Sequence, residues 1–214
     1  MYMRKVFLYL YPIEEYAKTF LYKNEYYDSK NVRRPFDVLN EVIQKRYRNN
    51  GYQVVYVLYR DKQMYGICPK NGDKIIYTDT SFKEASGYNE DGSQKSAEEI
   101  RYPNEELLVS QLRQVDILRI GGYHAQNCVK RVAEVAMSKG INTLVDLDMT
   151  DMFFSLYEQK EYFQIISYNP ERYKEYALRE ANELGLGEYM LRRNFGSPVY
   201  GFYNTKIGKE TEER

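Results

Sequence analysis

The sequence predicts a three-layer α/β/α fold with a mainly parallel, Rossmann-like sheet, on three observations. Val6 to Tyr11 is a continuous apolar run halted by Pro12, the pattern of a strand covered on both faces. A helical stripe and a second β-branched run follow it, an order that implies a parallel crossover. Strand, helix and strand then recur between Asp116 and Asp146. A chain of 214 residues can bury one such core. We expect a single domain over 1–205 and a charged, disordered tail over 206–214.

The elements follow in order. After the first strand, Tyr16 to Lys30 has no clean period and reads as a loop or short helix. Pro35 suits the first turn of a helix, and Phe36, Leu39, Ile43 and Tyr47 recur at helical spacing until Asn49-Asn50-Gly51 ends the run. Gln53 to Tyr59 is the second strand. From about 60 to 102 the rhythm breaks into a turn at Lys70-Asn71-Gly72-Asp73, a short strand at Lys74 to Thr78 and a polar loop at Ser86 to Ser96, the composition of an insertion or lid. Pro103-Asn104-Glu105-Glu106 supplies a cap and an acidic first turn for a helix carrying Leu107, Leu108 and Leu112.

Asp116 to Ile120 is the next strand. Val129, Val132, Ala133 and Ala136 then line one side of a helix over Cys128 to Lys139, closed by Gly140, and Ile141 to Asp146 is a further strand. Asn169-Pro170-Glu171 opens another helix, with Tyr173, Ala177, Ala181 and Leu184 as its stripe. Tyr189 to Arg193 and Val199 to Tyr203 read as late edge strands.

Composition narrows the function. Lys plus Arg and Asp plus Glu are both 31, so no net field favours a polyanion and a dedicated nucleic-acid binder is not expected. Two cysteines, Cys68 and Cys128, make no disulfide framework in a chain of this length, which fits a reducing, cytoplasmic compartment. Arg4 and Lys5 ahead of Val6 to Ile13 imitate a signal peptide, yet Glu14 and Glu15 end the run and no small-residue cleavage site follows. No apolar stretch approaches the roughly 20 residues of a spanning helix, so no membrane partner is expected. The 24 tyrosines fit a compositional bias of the source genome as well as they fit a function.

The stretch Gly121-Gly122-Tyr123-His124-Ala125-Gln126-Asn127-Cys128-Val129 carries the most chemistry. A strand ends in paired glycines and a thiol opens the next helix, where backbone N–H groups can lower a thiol pKa and hold an oxyanion. The stretch resembles the nucleophile turn of the isochorismatase-like cysteine hydrolases, whose members carry Gly-x-x-Thr-x-x-Cys-Val after a strand. Gly122, Cys128 and Val129 match, and Ala125 stands where threonine is usual. The element order from Val6 to Asp146 agrees too, covering about two thirds of the chain.

The resemblance implies hydrolysis of a small amide or related bond through a Cys128 thioester, with amides from Gly122, Tyr123 and Asn127 holding the oxyanion. It implies no cofactor and no metal, a small-molecule substrate or ligand, and a homo-oligomer. Family enzymes place an aspartate just past the first strand and a lysine ahead of the second crossover helix. Here the first acids are Glu14 and Glu15, and the lysine nearest in role is Lys83. His124 is the only histidine, and four residues before Cys128 it is a candidate base.

Two alternatives stay open. One is a catalytically silent relative that binds a ligand or partner in the same crevice. The other is a metal-dependent phosphohydrolase, because Asp146-Leu147-Asp148-Met149-Thr150 copies the Asp-x-Asp-x-Thr loop of haloacid-dehalogenase-type phosphotransferases. Asp116, Asp146, Asp148 and Asp151 could also gather a cation at the sheet rim. Zinc is poorly served by one histidine and two distant cysteines. Tyr22, Tyr26 and Tyr27 interleave with Lys23, Lys30, Arg33 and Arg34, a weak echo of a single-strand binding platform. Gly121 and Gly122 lack the spacing of a dinucleotide fingerprint.

Overall fold

A computed structural model of the chain describes residues 3–22, 33–151, 153 and 199–200. Six strands form one sheet: β1 Lys5–Leu10, β2 Gln53–Leu58, β3 Lys74–Tyr77, β4 Ile117–Gly122, β5 Asn142–Thr150 and β6 Val199–Tyr200. Their order is β3-β2-β1-β4-β5-β6, and every neighbouring pair is parallel. The register sets Leu10 beside Val57 on one side and Gly122 on the other.

Alternation along the strands divides the core into two layers. Val6, Leu8, Leu10, Val55, Val57, Leu118, Ile120 and Val145 meet helices α4, Glu105–Ser110, and α5, Lys130–Ser138, through Leu108, Val132, Ala133 and Ala136. The opposite face carries Phe7, Tyr9, Val54 and Tyr56. It is covered by Ala17 of α1, Glu14–Tyr22, and by Phe36, Leu39 and Val42 of α2, Arg33–Val42. Helices on both faces of a parallel sheet make the expected three-layer α/β fold.

Local chemistry explains the element ends. Helix α2 runs on through a wide turn at Ile43–Tyr47 and a tight one at Arg48–Asn50, closing where Gly51 takes φ 78°. The Asn104 side chain accepts from Leu107 N and caps α4. Ser81 and Glu84 form a capping box around the short helix α3, Phe82–Ala85.

Two sequence expectations are corrected. The expected insertion is partly sheet, because β3 lies within it and pairs with β2 from Val55↔Lys74 to Leu58↔Tyr77. Of the two forms left open for the segment after β1, loop or short helix, Glu14–Tyr22 takes the helix. Strand β5 continues through Asp146 to Thr150 instead of stopping at Asp146. The expected late strand at Val199 is present as β6. The expected helix from Asn169, the strand at Tyr189 to Arg193, the tail and the Lys23 to Lys30 platform lie outside the described residues. No helix among the described residues is long and apolar enough to cross a membrane.

Candidate functional site

Strand order reverses between β1 and β4, and in open α/β sheets ligands bind beyond the carboxyl ends of the strands at such a reversal. The rim there is Tyr11-Pro12-Ile13 after β1 and Tyr123-His124 after β4. Gly122 has φ 103°, and a Cβ on it would lie 2.1 Å from the Leu10 carbonyl oxygen, so only glycine lets the two strands meet this closely. Tyr123 N donates to that same oxygen at 3.0 Å. The Tyr123–His124 peptide is cis. A wide turn, Ala125–Val129, then leads into α5, so Cys128 sits inside the first turn of the helical segment rather than ahead of it.

The turn commits the donors expected to form the oxyanion hole. Tyr123 N is held by Leu10 O, while Asn127 N and Val129 N both donate to His124 O at 3.1 Å. Gly122 is part of the β1–β4 pairing. Ala125 N donates to Asp151 Oδ1 at 3.0 Å, which ties the turn to the end of β5. The backbone N–H groups that favour a Cys128 thiolate are those of His124 and Cys128 itself.

Cys128 is 7% exposed and belongs to the apolar cluster that contains Leu10, Tyr11, Tyr59, Leu108 and Val132. Burial pushes its thiol above the ordinary value; Arg131 and the two backbone N–H groups offset this in part, and Glu105 adds to the rise. The shift runs opposite to the lowered thiol pKa expected from the turn. The shell of α4 and the rim aromatics removes water from sulfur faster than the turn supplies positive potential. Cys68 is exposed.

The expected acid and cation are elsewhere. Glu14 is exposed and pairs with Lys18 at 2.7 Å, one turn along α1. Lys83 pairs with Glu90 at 2.7 Å, both side chains more than two-thirds exposed. Neither bonds to Cys128. His124 is half-buried with its ring edge-on to Tyr16 at 4.7 Å.

Aromatic rings pack along this rim. Tyr11 stacks on Tyr59 with ring centroids 4.4 Å apart, and the Tyr16 and Tyr59 hydroxyls are 3.0 Å apart. Tyr16 also meets Phe82 at 5.6 Å and Tyr123 at 5.8 Å. Tyr11, Tyr59 and Tyr123 are each 1% exposed. Burial pushes the Tyr16 phenol up to about 12, opposed by its bond to Tyr59, and raises Tyr11, Tyr59 and Tyr123 further. The segment after β2 is strapped across these rings: Lys62 pairs with Glu15 and lies 4.7 Å from the Phe82 ring centre, and Tyr65 N donates to Pro12 O.

The carboxylates singled out by the sequence do not converge. Asp146 is buried in mid-strand, accepting from Arg46 Nη1 at 2.9 and 3.1 Å and from the Tyr47 hydroxyl. Asp116 accepts from Arg4 N at the amino end of β1, whereas Asp151 lies past the carboxyl end of β5. They cannot share one cation, and no group of three or more His, Cys, Asp or Glu among the described residues could hold a metal. The Asp148 side chain lies outside the described set.

Fold and site together define a three-layer α/β protein whose strand-reversal crevice is packed with aromatic side chains. No protein-family model and no curated protein matches the chain. Among solved structures, a similar chain is the Leishmania major protein assigned as a Mar1 ribonuclease. It is 13% identical, with 77% of this chain and 71% of that chain covered and a TM-score of 0.44. That degree of likeness transfers no activity.

Proposed function

We propose that this chain is a catalytically silent relative of the isochorismatase-like cysteine hydrolases, acting by binding rather than turnover. The observation that carries the reading is the packing of Tyr11, Tyr16, Tyr59, Phe82 and Tyr123 at the β1–β4 reversal, with Cys128 in the same buried cluster as Tyr11 and Tyr59. Thioester formation needs a thiolate and a carbonyl carbon within roughly 3.5 Å of it. Burial opposes the thiolate, and the sulfur shares its buried cluster with Tyr11 and Tyr59. Glu14 and Lys83 are paired on the surface, and the acid and cation whose charges do reach the sulfur, Glu105 and Arg131, are bonded to each other at 2.7 Å. What the rim presents outward is half-buried Tyr16, Phe82 and His124, a surface suited to a flat or apolar ligand or a partner side chain.

The second reading, an active hydrolase, draws on the His124 and Cys128 N–H groups that act on the sulfur. One experiment separates the two. Alkylation by iodoacetamide near neutral pH, followed by peptide mass mapping, should modify exposed Cys68 at least about tenfold faster than Cys128. Faster modification of Cys128 than of Cys68 overturns the silent reading and restores the hydrolase.

A further inference from the structure

We propose that β3 is a self-association edge, pairing antiparallel with β3 of a second copy about a two-fold axis through Ile76. This rests on the outer edge of the sheet and is independent of the crevice. Strand β3 ends the strand order, and its outer backbone groups carry no bond in the described structure. Its residues Lys74-Ile75-Ile76-Tyr77 are strong strand formers with no proline and no bulge, and Lys74 is the only charge. Ile76 turns to the core, while Ile75 and Tyr77 share the other face at 43% and 51% exposure.

The occupant follows from self-complementarity. An axis perpendicular to the sheet keeps each helical layer on its own side and requires facing residues to share a face. Centred on Ile76, that register sets Ile75 opposite the second copy's Tyr77 and Tyr77 opposite its Ile75. Two β-branched and aromatic cross-strand pairs result, a favourable combination. Lys74 then faces Thr78. The flanking acids do not oppose the pairing, because Asp73 is bound by Arg48 at 2.6 Å and Asp79 by Arg101 at 3.5 Å. The two side chains cover roughly 200 Å² per copy, about a quarter of what a standard interface takes from each partner. The antiparallel backbone ladder adds to this contact, and an interface of this size makes a weak dimer that dissociates on dilution.

Sedimentation velocity of the full chain over a wide concentration range tests this. The wild type should shift from monomer to dimer. Ile75→Lys should raise the half-dimer concentration at least about tenfold, as should Tyr77→Glu, with melting curves unchanged because both positions are exposed. The double variant Ile75→Lys/Tyr77→Glu should recover to within about threefold of wild type, because each new lysine faces a new glutamate. A wild type that is monomeric throughout overturns the proposal, as do single variants that dimerise like wild type or a double variant no better than the singles.

Discussion

Gly122→Ala offers the sharpest test of how β1 and β4 meet. The added Cβ would lie 2.1 Å from Leu10 O, 2.4 Å from Leu10 N and 2.8 Å from Leu10 C, all backbone atoms, whereas real Cβ atoms keep at least 3.0 Å. No rotamer change relieves this. The φ of 103° adds backbone strain of about 1–3 kcal/mol. Opening the gap by nearly an ångström also breaks the buried bond from Tyr123 N to Leu10 O, costing about 1–3 kcal/mol. The combined loss of about 2–6 kcal/mol is a large share of the roughly 5–15 kcal/mol that holds a domain together. In urea unfolding, with a slope of roughly 2 kcal/mol/M, the midpoint should fall by about 1–3 M. Two other glycines calibrate the result. Gly51→Ala meets nothing within 4 Å at φ 78° and should cost only about 1 kcal/mol. Gly87→Ala is equally open, with ordinary φ, and should stay within about 0.5 kcal/mol. A Gly122→Ala loss no larger than that of Gly51→Ala would refute the close approach of the strands.

Two further outcomes follow from buried polar chemistry. Asp146→Ala takes two bonds from the fully buried Arg46 guanidinium and one from Tyr47, and should destabilise by about 3–5 kcal/mol in denaturant titration. Arg46→Met/Asp146→Ala should recover at least about 1.5 kcal/mol relative to additivity, and strictly additive losses would show that the pair is not coupled. At alkaline pH, the folded state holds the Tyr16 proton up to about 12 while an unfolded tyrosine releases it near 10. Its contribution to stability is therefore complete below pH 10 and is lost as pH rises toward 12. Phenolate absorbance should rise together with loss of circular dichroism, and Tyr16→Phe should lessen the pH dependence. Full tyrosine ionisation in a protein that keeps its native spectrum to pH 12 would contradict the buried cluster.

The fold was legible where burial leaves a long apolar signature. Val6 to Leu10 and Val54 to Leu58 lie between two helical layers and carry that requirement in consecutive residues. Lys74 to Tyr77 read as a strand, but its place did not, because two of its three apolar residues face solvent and no pattern distinguishes a sheet edge from a lid hairpin. The second half of β5 was hidden for another reason. Asp146 and Asp148 look like turn residues, and the arginine that makes Asp146 tolerable in mid-strand lies 100 positions earlier. Long-range compensation of this kind leaves no local trace.

The site shows the same limit more sharply. Position alone put Cys128 just past the strand beside β1, since paired glycines between a strand and a helix mark the carboxyl edge of a sheet. Whether the sulfur meets water depends on α4, on α1 and on the residues just past β1 and β2, none adjacent to it in sequence. Tyr11 and Tyr59 directly follow the last residues of their strands, Leu10 and Leu58, so a bulky ring at both places was the one available sign of a filled crevice. The overall tyrosine excess masked it. Since the rings come from separate segments and meet one another face to face or edge-on, a single truncation removes one wall and leaves the others in contact. Exposing the Cys128 thiol would require clearing more than one of these rings, so the packing that buries the sulfur also contributes to the stability of the domain.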